Sequence, residues 1–98
     1  MALLGRNYYA CLVHLANSLF NMIRQSDKGN LKKLGANIKR LRKMKNLSLR
    51  ELSYACDIDN SKISKIEKGQ INITFTTILQ LARALEISPS ELLMTEFE

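Results

Sequence analysis

Histidine and cysteine are scarce in this sequence: His14 is the single imidazole, and Cys11 and Cys56 are the only thiols. One histidine supplies no cluster to hold a metal or relay protons. The two cysteines have neither the number nor the spacing of a disulfide framework or metal site. Each sits among apolar neighbours, as expected of a small buried side chain in a reducing compartment. There is no glycine-rich phosphate loop and no H-E-x-x-H motif. Without a nucleophile–base pair, the chain reads as a non-enzyme that needs neither cofactor nor metal. Four glycines and one proline leave few breaks, and no segment alternates with period two, so the expected fold class is all-α.

Long apolar runs are lacking too. Residues 7–23, "NYYACLVHLANSLFNMI", carry no formal charge, but Asn7, His14, Asn17, Ser18 and Asn21 interrupt them. A membrane span needs about 20 apolar residues and a signal peptide needs a purer core. Neither is read, no membrane partner is expected, and the expected location is cytoplasmic. The interruptions have a period. Tyr8, Leu12, Leu15, Leu19 and Met22 recur at four-three spacing, which predicts an amphipathic helix with a broad apolar face. Either that helix packs on the domain or on another chain, or Met22 is the true start and the first 21 residues are upstream sequence.

What the chain does have is positive charge. Its 98 residues carry a formal +6, enough chain for one domain with an appendage. Between Lys28 and Lys68 twelve Lys or Arg face only Glu51, Asp57, Asp59 and Glu67, whereas everything charged from Glu86 onward is acidic. A basic middle suggests an anionic partner, nucleic acid or membrane.

After a polar break at "RQSDKGN", the pattern predicts five short helices, dividing the chain into an N-terminal helix and linker (1–30) and a helical domain (31–98). The first runs from about Leu31 to Lys45, with Leu34, Ile38 and Leu41 inward. The second opens at "SLRE", where Ser48 and Glu51 form a capping box, and Leu49, Leu52 and Ala55 supply its apolar side. The third is "DIDNSKISKIEKG", capped by Asp59 and stopped by Gly69. Ile63 and Ile66 point inward; Asn60, Ser61, Lys62 and Lys65 are hydrogen-bonding or cationic. The fourth spans about Thr74 to Leu85, with Phe75, Ile78, Leu81, Ala82 and Leu85 in register. The fifth starts at "SPSE", with Ser88 as cap, Pro89 at the first position and Glu91 completing a second box. Helices two and three are joined by so few residues, around "CDID", that the second must cross the first: a helix-turn-helix with Ile58 plugging the turn.

Residues 35–93 resemble the lambda Cro and repressor type of DNA-binding domain, the XRE family. The likeness rests on "LSLRELS", "ISKIEKG" and "TFTTILQLARALEISPSELL", many positions agreeing in order and spacing. It implies a five-helix, lambda-repressor-like domain that binds palindromic double-stranded DNA as a homodimer, with helix three as the reader. Carried over by position, base contacts fall on Asn60, Ser61, Lys62 and Lys65, whose chemistry suits guanine and adenine edges; the alternative is a solvated helix face. Phosphate contacts fall on Ser48, Arg50, Lys68, Asn72 and Thr74, with Thr76 a further candidate; Lys39 and Lys43 are either helpers or solvated. Arg42 and Glu67 match a structural ion pair of the family. Two departures stand out. Leu49 occupies the place of a DNA-contacting glutamine, and Asp57 that of the usual glycine, so Asp57 either takes an uncommon conformation or the turn differs.

The function expected from the resemblance is a transcriptional regulator, a repressor or autoregulator without a small-molecule effector. A restriction–modification controller, a prophage repressor and a self-repressing antitoxin all fit. The alternative from another class is a protein-interaction module, an antitoxin or an adaptor for polymerase or ribosome.

Overall fold

The computed structural model describes residues 25–98, and the predicted helix over residues 8–23 lies outside them. The described residues are all-helical: α1 (Gln25–Met44), α2 (Leu49–Cys56), α3 (Asn60–Glu67), α4 (Phe75–Ala84) and α5 (Pro89–Leu92). The helices close a ring of contacts. α1 packs on α3 and α5, α3 on α2, α2 on α4, and α4 on α5. Inside the ring lie Ile38, Leu52, Ile63, Leu81, Leu85 and Leu92, all essentially inaccessible. Each contributes about 1.5–3 kcal/mol through burial.

Gln25–Asn30, ahead of the apolar pattern, are already helical in α1, and the break expected there is absent. Asp27 in the first turn complements the helix dipole. The side chain of Asn30 pairs with the backbone of Glu98 in both directions, at 3.0 and 2.8 Å. That long-range tie, invisible to local pattern, adds support to the extra turns. At the other side of the bundle Ala55 is exposed, and Cys56 takes the inward position instead. Phe75 is also exposed, because it is the first residue of α4 and its outward neighbour is solvent.

Caps set the lengths. Ser48 accepts from the Glu51 N–H while Glu51 accepts from the Ser48 N–H, a complete capping box on α2. Thr74 caps α4 and Ser88 caps α5 by the same side-chain-to-backbone bond. For α5 that single bond is what forms; no return bond from Glu91 accompanies it. Asp59 precedes α3 without a side-chain cap bond; its carboxylate accepts from Ser61 Oγ instead.

The C-terminal ends share one device. Asn46, Asp57, Gly69 and Glu86 follow α1, α2, α3 and α4, and all four have positive φ, between 56° and 70°. After α1, α3 and α4 the chain closes a Schellman motif: Leu47 N–H donates to Arg42, Gln70 to Lys65 and Ile87 to Ala82. Asp57, standing where glycine is usual, takes the left-handed conformation and donates to Ser53 (φ 56°, ψ 37°).

Candidate nucleic-acid interface

α2 and α3 are separated by Asp57, Ile58 and Asp59. The left-handed Asp57 reverses the chain, Ile58 is buried in the core, and Ser53 Oγ donates to the Ile58 carbonyl at 2.7 Å. The turn is thereby pinned from α2. α3 then presents two faces. Ile63, Ile66 and Glu67 are buried, while Asn60, Ser61, Lys62 and Lys65 are all exposed.

Three groups of the seam behind α3 fix its position. Arg42 of α1 grips Glu67 with two parallel bonds, Nε to Oε2 at 2.7 Å and Nη2 to Oε1 at 3.1 Å, and its third nitrogen donates to the Leu47 carbonyl at 2.8 Å. Both charged side chains are over nine-tenths buried, where a forked pair fixes orientation better than a single contact. The second group is Gly35. A Cβ there would stand 2.3 Å from the Ile66 carbonyl oxygen and 2.5 Å from that of Glu67, so α1 touches the last turn of α3 backbone to backbone. The third is Gly69, which both ends α3 in the left-handed region and lies against Lys32 of α1.

Four of the exposed polar side chains are already engaged within the chain. Ser61 Oγ donates to Asp59, which leaves an acidic acceptor beside the first turn of α3. Ser48 and Thr74 spend their hydroxyls on their own caps, so those helix starts offer backbone N–H groups to an anion more than hydroxyls. Asn72 Oδ1 accepts from the Ile73 N–H. Arg50 and Lys68 are exposed, as are Lys39 and Lys43. Among the described residues the ion pairs are Arg42–Glu67 and Lys33–Glu98, so Lys62, Lys65 and Lys68 stand outside both. Leu49 is half-buried against the core and has no group to offer a base.

Gly35 and Asn37 escaped the sequence reading. Asn37 is buried, donates to the Leu92 carbonyl at 2.7 Å and accepts from Arg40 at 2.7 Å, tying α1 to the end of α5. A polar residue on the Leu34–Ile38–Leu41 face was the available signal. Among the described residues, every buried side-chain nitrogen and oxygen has a partner. No group of three His, Cys, Asp or Glu among them could hold a metal, and no helix among them is long and apolar enough to cross a membrane.

A bundle that holds a short helix with one face packed and one polar face free is the architecture of a DNA-binding helix-turn-helix regulator of transcription. The chain belongs to the HTH_3 helix-turn-helix family, whose model matches residues 38–92. It is 33% identical over 60 residues to the control protein C.BamHI of Bacillus amyloliquefaciens, covering 60% of this chain and 74% of that one. An uncharacterized HTH-type transcriptional regulator, y4dJ of Sinorhizobium fredii, is 36% identical over 61 residues, 62% of this chain and 79% of that one. Among solved structures, the restriction–modification controller protein C.AhdI from Aeromonas hydrophila superposes with a TM-score of 0.64 at 39% identity, over 65% of this chain and 97% of that one.

Proposed function

We propose that the chain is a repressor or autoregulator that reads a palindromic operator as a homodimer, laying α3 in the major groove. The observation that carries this reading is the bare polar face of α3, with Asn60, Lys62 and Lys65 exposed while Ile63 and Ile66 anchor the opposite side. Lysine donates to guanine O6 and N7, and asparagine pairs with adenine N6 and N7. Asp59 and Ser61, already bonded to each other, add an acceptor suited to the cytosine amino group. Arg50, Lys68 and the backbone N–H groups at the starts of α2 and α4 hold the phosphates and set the register. Control is by occupancy: two copies on half-sites about 34 Å apart block or recruit polymerase. The likeness to the restriction–modification controller protein C.AhdI supports that role over a prophage repressor or an antitoxin. The bacterial cytoplasm is the corresponding location.

The test is selection of bound sequences from random duplexes. A palindromic consensus with half-sites one helical turn apart is the expected result. Recovery of random sequence would refute operator reading.

A further inference from the structure

We infer that the first two turns of α1, ahead of the family-matched residues, form a second phosphate-binding strip continuous with the end of α3. This rests on the DNA-binding reading above and extends it to residues 25–37, which precede the match. The strip is Lys28 and Lys32 on α1 with Lys68 just past the end of α3, all exposed and next to the base-reading Lys65. Gly69 makes them neighbours. A Cβ at Gly69 would lie 2.7 Å from the Cα, N and Cγ of Lys32, so the aliphatic stem of Lys32 runs along the backbone that ends α3. Its ammonium is free to extend beyond, as long cationic side chains do. Lys28 lies one turn earlier on the same face of α1.

The other side of α1 shows what happens to cations that have an internal partner. Lys33 donates to the Glu96 carbonyl at 3.0 Å and lies 3.8 Å from the Glu98 carboxylate, and Asn30 and Asn37 bind backbone of the same acidic end. The tail therefore covers the Asn30–Lys33–Asn37 face and leaves the opposite one. Asp27 is the only carboxylate in α1, and residues 1–24 contain no Asp or Glu. Three cations collected at one edge, next to the base-reading face, offer a duplex backbone several phosphate partners at once. A lysine contacts phosphate without regard to sequence, so the strip adds affinity and salt dependence, not specificity.

The test uses a random-sequence duplex of fixed length and a salt titration of binding by fluorescence anisotropy, on the full chain. Each phosphate contact contributes about 0.9 to the slope of log affinity against log salt, so Lys28→Ala/Lys32→Ala should flatten it by about 2 per bound chain. Between about 50 and 200 mM salt the variant should then lose about tenfold less affinity than the parent. Lys45→Ala/Arg83→Ala removes the same charge from the far end of α1 and from α4, and should leave the slope unchanged. An unaltered slope in the first variant, or an equal drop in both, overturns the strip. Loss of slope in the first variant alone supports it whether or not selection yields a consensus; failure of that selection counts only against operator reading.

Discussion

Gly35→Ala is the substitution on which local and tertiary reasoning disagree most sharply. By helix propensity alone, replacing a mid-helix glycine with alanine stabilises by about 1 kcal/mol. In the folded chain the new methyl would stand 2.3 Å from one carbonyl oxygen and 2.5 Å from the next, where ordinary contact begins at 3.4 Å. The last turn of α3 must therefore retreat from α1 by about 1 Å, since both obstacles are backbone and neither can rotate away. The same retreat would stretch the 2.7 Å Arg42–Glu67 bond toward the limit of a hydrogen bond. Overpacking of this kind costs about 1–3 kcal/mol, and strain on a buried ion pair adds to it. The net expectation is a destabilisation of about 2 kcal/mol, or a fall of about 10 °C in Tm for a domain this small. Urea and thermal unfolding by circular dichroism measure it. Gly29→Ala is the internal control, for that glycine is in the same helix with nothing within 4 Å, and it should gain up to about 1 kcal/mol. If both substitutions stabilise alike, α1 and α3 do not meet as described.

Glu67→Ala should cost about 3–5 kcal/mol in urea unfolding because it strands the buried Arg42 guanidinium, whereas Arg42→Met/Glu67→Leu should recover most of the loss; equal stability of the single and double variants would refute the pairing. Lys65→Ala should lower discrimination by about 1–3 kcal/mol at one base pair in competition binding, and a uniform loss across sequences would assign Lys65 to phosphate instead. Acid should also weaken the start of α2. The Ser48 backbone N–H, and then its side chain, hold the Glu51 carboxyl below its ordinary pKa. A depressed folded-state value means the cap's contribution is complete above the unfolded carboxylate range and is lost as pH falls through the depressed value. Tm of the parent should therefore fall more than that of Glu51→Gln on acidification, and identical acid profiles would remove Glu51 from the cap.

The likeness to the Cro and repressor family was legible because it rests on local signals. Ser48 and Glu51, Thr74, and Ser88 before Pro89 mark helix starts by chemistry acting over three or four residues. Apolar spacing alone picked out Leu34, Ile38, Leu41, Leu52, Ile63, Ile66, Ile78, Leu81, Ala82 and Leu85 for the core. Some slips were local, as at Phe75 and Asp59; others came from neighbours that the fold brings in. Gln25–Asn30 looked like a break, yet Asn30 is tied to Glu98 across 68 positions. Ala55 and Cys56 both fit an apolar stripe, and in the assembled bundle Cys56 is the one that is buried.

Composition and periodicity, then, settled that the chain is helical, basic through its middle, and equipped with a short polar-faced helix after a tight turn; these depend on backbone bonds and side-chain neighbours within a turn or two. Only the assembled bundle decided how that helix is held: the backbone contact at Gly35, the Asn37 tie to α5, and the acidic end covering one side of α1 while leaving Lys28 and Lys32 on the other. Each of these joins groups far apart along the chain, and a pairing of that kind exists only once the helices have closed around a common core.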